Sequence, residues 1–365
     1  MRGSFRGNTQ ASTEAAEAER MSAFSEDVEE RGYTPTVKAY KNEDFINSSQ
    51  ARLLRIMCEY EETKHRLKTQ SVRATLLFFG SARAKNAEAY AAAVTEATAQ
   101  VKAAEAANDT GAVKVATAKL QRVEKSEWMV EMSEKVSRLA ELLTAWAVSP
   151  RCTLGREHSY AGVTRYHYTD PKYRQVAAMG STSGSRSYSS LDPEEMAPPI
   201  SPAVTHEQNV VVCTGGGPGF MEAANKGAAK VSGAKNMGMG ISLPFEEGLN
   251  KYVTEELAFE YHYFFSRKFW MVYHCQALIV APGGFGTLDE LFEVLTLKQT
   301  GKIQGSLPVV LFGKQYWESI LNWQVMVDMG TIAQSDVDEL FFTDDPEEAF
   351  HYLVEKLSSN GNGGD

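Results

Sequence analysis

The sequence has few features of a secreted, membrane-spanning or metal-binding protein. No apolar run approaches the ~18 residues that a spanning helix needs, and the N-terminus lacks the apolar core of a secretory signal. The 4 cysteines lie far apart without metal-ligand or redox spacing, which favours ordinary thiols in a reducing compartment. We therefore predict no membrane partner and no metal site.

Positive charge is outnumbered by negative charge, with 37 Lys and Arg against 47 Asp and Glu. The 365-residue chain has a formal net charge of −10 at pH 7, which argues against a broad nucleic-acid interface because nucleic acids are polyanions. Any bound phosphate must then be held locally. Arg2 and Arg6 resemble the start of an organelle transit peptide, but Glu14, Glu17 and Glu19 follow, and such peptides usually avoid acids. We predict a cytoplasmic protein, with organelle import left open.

Composition divides the chain into a polar start, one domain and a tail. Apolar residues make up 43% of the chain, which is enough for a substantial core. Residues 1–47 are polar without apolar periodicity, and they are predicted to be disordered or loosely packed. A single domain is predicted over residues 48–358, and residues 359–365 are predicted to form a flexible tail.

Two segments of that domain are predicted to be insertions. Residues 88–147 are rich in Ala, Glu and Lys and predict long helices that form a hairpin or arm, with a helical insert at about 100–127. Residues from about 150 to 207 are rich in Gly, Ser and Pro, and they predict a long loop.

Elsewhere, short apolar strands alternate with amphipathic helices. Strands are predicted at 75–79, 209–214, 237–243, 276–281 and 307–312, and helices at 218–230, 264–274, 287–300, 316–328 and 346–357. A further short helix is predicted around 53–60. The alternation predicts an α/β fold, a doubly wound Rossmann-like parallel sheet with helices on both faces and ligands at the carboxyl ends of the strands.

Glycine-rich turns follow three of these strands, at residues 80–81, 215–219 and 282–286. In the last turn, Gly283, Gly284 and Gly286 lack a Cβ, so backbone N–H groups are able to approach a ligand at the positive end of the next helix. The pattern predicts an anion site. The turn at 215–219 has two interpretations, close approach to a nucleotide or a tight connection from strand to helix.

Two common nucleotide fingerprints are missing. No lysine precedes Gly286 and Thr287, as a Walker motif requires, and the strand at 237–243 does not end in the acid of a dinucleotide site. A mononucleotide or sugar phosphate fits the remaining pattern better.

Glu290 and Arg267 are the candidate charged residues of this site. Glu290 lies one turn beyond the glycine turn, within reach of a ribose attached to a bound phosphate, but the run 287–290 also matches a helix capping box. Both interpretations stay open. Arg267 lies among aromatic residues, where an unpaired guanidinium is costly, so we expect it to pair with a carboxylate such as Glu290 or with phosphate.

Taken together, residues 80–81, 215–224, 267–268 and 282–290 resemble the LOG ("Lonely guy") family of cytokinin-activating phosphoribohydrolases, also labelled lysine-decarboxylase-like. The resemblance covers about residues 70–100 and 130–355 and is strongest to the longer subgroup. It implies hydrolysis of the N-glycosidic bond of a nucleoside 5′-monophosphate, without a cofactor, by a homodimer or a larger homo-oligomer.

The resemblance also implies a set of site residues. The catalytic pair corresponds to Arg267 and Glu290, the phosphate loop to Gly283, Gly284, Gly286 and Thr287, and the nucleotide contacts to Ser81, Gly215, Gly216 and Lys268. The residues 264–266, Phe-Phe-Ser, replace the Met-His-Glu of short plant members. That departure leaves the identity of the base open: an N6-modified adenine, adenine, or a related purine or pyrimidine.

Two other functions are kept as alternatives. A nucleotide carrier of the same fold would bind without hydrolysis, but the presence of both Arg267 and Glu290 favours an enzyme. A pyridoxal-dependent lysine decarboxylase needs a lysine that binds the cofactor and an acid beside its ring nitrogen, and the sequence contains no pattern that indicates them.

Overall fold

The computed structural model describes residues 36–152, 154, 208–243, 248–303 and 307–359. Most of the predicted N-terminal segment, nearly all of the loop predicted at about 150–207, and the tail beyond residue 359 lie outside the described residues. The chain divides into two compact units, residues 1–58 and 59–365. The prediction of one domain over residues 48–358 stays a prediction.

The described part of the first unit is helical. Helix α1 is Glu43–Asn47, and helix α2, Arg52–Thr69, begins in this unit and continues past its boundary. The Arg55 guanidinium donates to the carbonyl oxygens of Ile46 and Ser48, each at 2.6 Å, and so ties the connecting turn to the start of α2. The sequence predicted a shorter helix here, because the apolar period fades after residue 60.

The second unit is built on a parallel sheet of seven strands within the described residues. They are β1 Ala74–Phe79, β2 Val210–Thr214, β3 Asn236–Ile241, β4 Ala258–Tyr261, β5 Cys275–Val280, β6 Val309–Phe312 and β7 Leu340–Thr343. Their order is β4-β3-β2-β1-β5-β6-β7, with every neighbouring pair parallel. The predicted Rossmann-like fold is confirmed. The strand order reverses at β1, and in such sheets ligands bind at the carboxyl ends of the strands beside that point.

The remaining helices connect the strands and cover the sheet. They are α3 Ala87–Ala106, α4 Thr110–Glu124, α5 Trp128–Ala147, α6 Phe220–Ala229, α7 Phe264–Tyr273, α8 Phe285–Gln299, α9 Lys314–Ile320, α10 Trp323–Asp328, α11 Gln334–Asp338 and α12 Pro346–Ser359. Buried residues of α5, α6 and α12 share one core cluster with the sheet, and those of α7 and α8 share another. Helices therefore cover both faces, as predicted.

The central strands supply side chains to both faces alternately. In β1, Leu76 and Phe78 belong to the first cluster, whereas Leu77 and Phe79 belong to the second. All six residues of β1 are buried, and so are all six of β5. This is why both strands are mostly apolar, with Thr75 and Gln276 as their polar residues, as expected for a strand covered on two faces.

The Ala-rich segment forms the predicted helical hairpin. Helices α3 and α4 pack against each other, and Asp109 in the turn accepts a hydrogen bond from the Ala112 N–H at 2.9 Å. The Lys119 ammonium reaches Glu96 on the opposite helix at 3.2 Å. Helix α5 then returns the chain to the sheet, where most of its residues are buried.

Other boundaries and elements also differ from the sequence-based expectation. Helix α6 begins at Phe220 and not at 218, because Gly219 has a φ of 74° and ends the preceding turn. Strands β4 and β7 were not predicted. Both have only four residues and lie at the two edges of the sheet, where a strand has too few apolar residues to give a clear pattern.

Candidate active site

A cleft of about 690 Å³ opens at the carboxyl ends of β1, β2, β3 and β5. Loops that follow β1, β2 and β5 contribute to its lining, which is the position that the topology of the sheet favours for a ligand. Eight of the ten predicted site residues line it: Ser81, Gly215, Arg267, Gly283, Gly284, Gly286, Thr287 and Glu290. Gly216 and Lys268 do not.

Arg267 and Glu290 form an ion pair at the wall of this cleft. Arg267 Nη1 donates to Glu290 Oε1 at 3.2 Å, and Arg267 Nε donates to the carbonyl oxygen of Met239 at 2.7 Å. The two side chains are only 9% and 15% exposed. The predicted partnership is therefore confirmed. Arg267 Nη2 makes no hydrogen bond among the described residues, so one donor of the guanidinium is available to a ligand.

Burial changes the acidity of the Glu290 carboxyl. Removal from water raises its pKa from 4.5 to about 7, although the positive charges of Arg267 and Lys268 oppose this rise. A carboxyl with such a pKa exchanges a proton near neutral pH, which is the property that a general acid or base requires.

The capping-box interpretation of residues 287–290 is wrong. Helix α8 begins two residues earlier, with Gly284 as the N-cap, and no side chain caps it. Thr287 is therefore already inside the first turn, and the Glu290 carboxylate faces Arg267 instead of the N-cap N–H. Glu290 belongs to the cleft.

The start of α8 forms a backbone cradle for an anion. Its first N–H groups have no partner within the helix and lie at the positive end of the helix dipole. Tyr316 Oη donates to the carbonyl oxygen of Gly283 at 2.6 Å and holds the turn from the other side. A Cβ at Gly283 would overlap Thr287 Oγ1, so only glycine allows this close approach.

The glycine turn after β2 packs directly against Arg267. A Cβ on Gly215 would overlap Arg267 Nη2, whereas Gly216 points away and donates its N–H to Thr214 Oγ1 at 2.8 Å. Asn250 Nδ2 donates to the carbonyl oxygen of Gly216 at 3.0 Å and to the Asn225 side-chain oxygen at 2.9 Å. Buried polar side chains thus fix the turn that shapes this wall.

Ser81 connects two of the glycine turns. Its N–H donates to the carbonyl oxygen of Pro282 at 2.9 Å, and its carbonyl oxygen accepts from the Phe220 N–H at 3.1 Å. Its hydroxyl accepts a hydrogen bond from the Arg83 N–H at 3.1 Å. The turns after β1 and β5 are consequently held together at the cleft.

Lys268 does not line the cleft but binds a residue that does. Its ammonium binds Asp289 at 2.6 Å and Glu293 at 3.1 Å, joining α7 to α8. Burial alone would lower the pKa of Lys268, but the hydrogen bonds to these two carboxylates and their negative charges together outweigh burial and raise it. The position favours a role in holding the two helices together, one residue away from Arg267.

Several residues of the cleft were not expected from the sequence. They include Arg83, Met221, Glu260, Phe264 and Tyr316. Tyr316 lies in an ordinary amphipathic helix, and no local pattern relates it to a glycine 33 positions earlier. The Gly-Pro-Gly-Phe-Met run that ends at Met221 was the one available signal in the sequence. It indicated the glycine turn but not that the Met221 side chain lines the cleft.

A known family matches the C-terminal part of the chain, which contains part of this site. A family model described as "Possible lysine decarboxylase" matches residues 221–353, and this match supports the resemblance to the LOG or lysine-decarboxylase-like family. No curated protein matches the chain. The matched residues include Arg267, Glu290 and the cradle, whereas Ser81 and Gly215 lie outside the match.

The described residues contain neither a metal-binding cluster nor a membrane-spanning helix. Within them, no cluster of three or more His, Cys, Asp or Glu side chains has the arrangement needed to hold a metal ion. No helix in the described ranges is long and apolar enough to cross a membrane.

Proposed function

We propose that the chain hydrolyses the N-glycosidic bond of a nucleoside 5′-monophosphate and releases the free base and ribose 5-phosphate. The observation that carries the proposal is the buried pair of Arg267 and Glu290 beside the backbone cradle of residues 283–287. The base we favour is adenine or an N6-modified adenine, as the resemblance to cytokinin-activating enzymes implies.

In the proposed reaction, the cradle binds the phosphate through the first N–H groups of α8. Helix α8 then directs Glu290, one turn further on, toward the ribose. As the bond from C1′ to the base nitrogen breaks, its electron pair leaves with the base and positive charge develops on the ribose, and an ionised carboxylate stabilises that charge.

Water completes the reaction. Its oxygen bonds to C1′, one of its protons passes to Glu290 and from there to solvent, and the departing base takes up a proton from solvent. Arg267 holds Glu290 in place and offers Nη2 to the substrate. The glycine at 215 is needed because any side chain there would displace that guanidinium.

Among the described residues, the lining of the cleft does not favour a pyridoxal-dependent decarboxylase. Such an enzyme holds its cofactor on a lysine. Lys268, the nearest lysine in sequence to the site, binds two carboxylates and does not line the cleft, whose described lining contains no lysine. The description of the family model therefore supports a decarboxylase less strongly than the residues of the site support a hydrolase.

The test is release of ribose 5-phosphate from AMP and from isopentenyladenosine monophosphate. We expect wild type to cleave at least one, and Glu290→Gln to lose about 100-fold or more in kcat. Glu318→Gln on α9 is the matched control, because that carboxylate is 56% exposed and does not line the cleft. Binding of both nucleotides without cleavage would instead indicate a nucleotide carrier.

A further inference from the structure

The described lining of the cleft contains three carboxylates, and one of them has no cation beside it. Glu290 is paired with Arg267, and Asp289 is paired with Lys268. Glu260, on β4, accepts a hydrogen bond from Ser242 Oγ at 2.7 Å through Oε1. Its Oε2 has no hydrogen-bond partner within the described part of the chain. A carboxylate in this state is ready to accept a further hydrogen bond.

The sheet places Glu260 beyond Arg267 and away from the cradle. Arg267 Nε binds the carbonyl oxygen of Met239 on β3. The next residue, Gly240, is paired with Glu260 across the ladder from β3 to β4. Neighbouring strands lie ~4.8 Å apart, so the backbone of Glu260 is about one strand spacing from that of Gly240, the residue after the one that Arg267 binds. The cradle follows β5, on the opposite side of β1.

This order matches the parts of a nucleoside monophosphate. In the proposed reaction the phosphate lies at the cradle and the ribose at Glu290 and Arg267. The base then extends toward β3 and β4. The lining at that end includes the apolar residues Ile241, Leu243 and Phe264, of which Phe264 is 56% exposed and offers a ring face to a flat heterocycle.

We propose that Glu260, oriented by Ser242, determines which base is accepted by binding an amino group on that base. The inference rests on the proposed function and adds a specificity residue to it. An ionised carboxylate accepts hydrogen bonds and donates none, so it favours a base with an N–H donor and disfavours a carbonyl oxygen in the same place. Adenine and an N6-alkylated adenine both retain at least one such N–H.

A structural role for Glu260 predicts different behaviour. Strand β4 lies at the edge of the sheet, and charged side chains on edge strands prevent pairing with other chains. If that were the whole role of Glu260, its replacement would promote association of the protein without changing the preference among nucleotides.

The experiment compares AMP with purine riboside 5′-monophosphate, which lacks only the 6-amino group. The measured quantity is the ratio of kcat/KM for the two nucleotides. We expect a ratio of roughly tenfold or more for wild type, because a hydrogen bond to a charged group is involved. Glu260→Ala should bring the ratio close to one, and Glu260→Gln, which keeps a neutral acceptor, should give an intermediate ratio.

Glu256→Ala is the matched control, because Glu256 is exposed in the turn Glu255–Leu257 just before β4 and does not line the cleft. The control should keep the wild-type ratio. An unchanged ratio in Glu260→Ala, or no discrimination by wild type, would overturn the inference while leaving the hydrolase proposal intact.

Binding separates failure of this inference from failure of the proposed function. If wild type releases no ribose 5-phosphate, the Kd values of the same two nucleotides are measured by calorimetry for wild type and Glu260→Ala. A preference for AMP of roughly tenfold or more that disappears in Glu260→Ala supports the role of Glu260 without hydrolysis. Equal Kd values for the two nucleotides with wild type reject it.

Discussion

Arg267 and Glu290 meet across the strand that separates them in the chain. Arg267 lies on α7, which precedes β5, and Glu290 lies on α8, which follows β5, yet Nη1 and Oε1 are 3.2 Å apart. Both helices pack on the same face of the sheet. The crossover from the edge strand β4 to the central strand β5 carries α7 over the sheet and makes this contact.

The first prediction concerns the pH dependence of hydrolysis. Burial raises the pKa of Glu290 to about 7, and the proposed reaction needs this carboxylate ionised. We therefore expect kcat/KM to rise with pH and to level off above about pH 8. Initial rates of ribose 5-phosphate release across the range give the profile. A rate that is flat across neutral pH would show that ionisation of Glu290 does not control catalysis.

The second prediction concerns stability. The free energy of unfolding is expected to fall as the pH rises, whereas kcat/KM is expected to rise. The pKa of Glu290 is raised in the folded protein from 4.5 to about 7, so the protonated form is favoured on folding. The resulting stabilisation is complete below about pH 4.5 and is lost as the pH rises through about 7. The free energy of unfolding should therefore fall over this window by roughly 3 kcal/mol more in wild type than in Glu290→Gln.

Urea unfolding at about pH 5 and about pH 8 measures this difference. Glu318→Gln, with an exposed side chain, should follow wild type. Equal pH dependence in wild type and Glu290→Gln would contradict the burial of an ionisable Glu290.

The third prediction tests whether the cradle holds a phosphate. A Cβ at Gly284 would meet no atom within 4 Å, so Gly284→Ala should fold with an unchanged Tm. A bound phosphate would need the same space, and we expect KM for AMP to rise by about tenfold or more. Gly283→Ala should instead lower Tm, because its Cβ would overlap Thr287.

Adenosine, which has no phosphate, provides the control for this prediction. Its affinity should be nearly the same for wild type and Gly284→Ala. Equal weakening of AMP and adenosine would place the phosphate elsewhere.

Much of the fold was predictable because its signals are local. The strands β1, β2 and β5 are mostly apolar, and the glycine turns that follow them mark the carboxyl ends of the strands. The charged pair at the centre of the site was also predictable from the sequence. Arg267 was expected to pair with a carboxylate or a phosphate because it lies among aromatic residues, and Glu290, one turn beyond the glycine turn, was the candidate carboxylate.

The rest of the site depends on contacts between distant parts of the chain. Tyr316 is 33 residues from Gly283, and Ser242 is 18 residues from Glu260, and neither pair forms a sequence pattern. The edge strand β4 is four residues long and alternates between buried and exposed positions. Without that strand in the prediction, Glu260 was not assigned to the cleft.

A distant helix also positions the start of α7. Glu59, on α2, accepts a hydrogen bond from the His262 N–H at 2.8 Å through Oε1 and another from the Ser266 hydroxyl through Oε2. Ser266 is next to Arg267, so Glu59 holds the first turn of the helix that carries the guanidinium. We expect Glu59→Ala to lower kcat about tenfold with little change in KM, because the substrate is still bound but Arg267 is less well placed.

Glu59→Gln retains an acceptor oxygen and should recover part of this loss in kcat. If Glu59 acted only through its negative charge, Glu59→Gln would be as slow as Glu59→Ala. Glu61→Ala is the matched control, because Glu61 is 57% exposed on the same helix and contacts Lys64. Rates are measured well below the Tm of every variant, so that the fraction of folded protein is constant. If Glu59→Ala lowers Tm but leaves kcat at the wild-type value, Glu59 stabilises α7 without positioning Arg267.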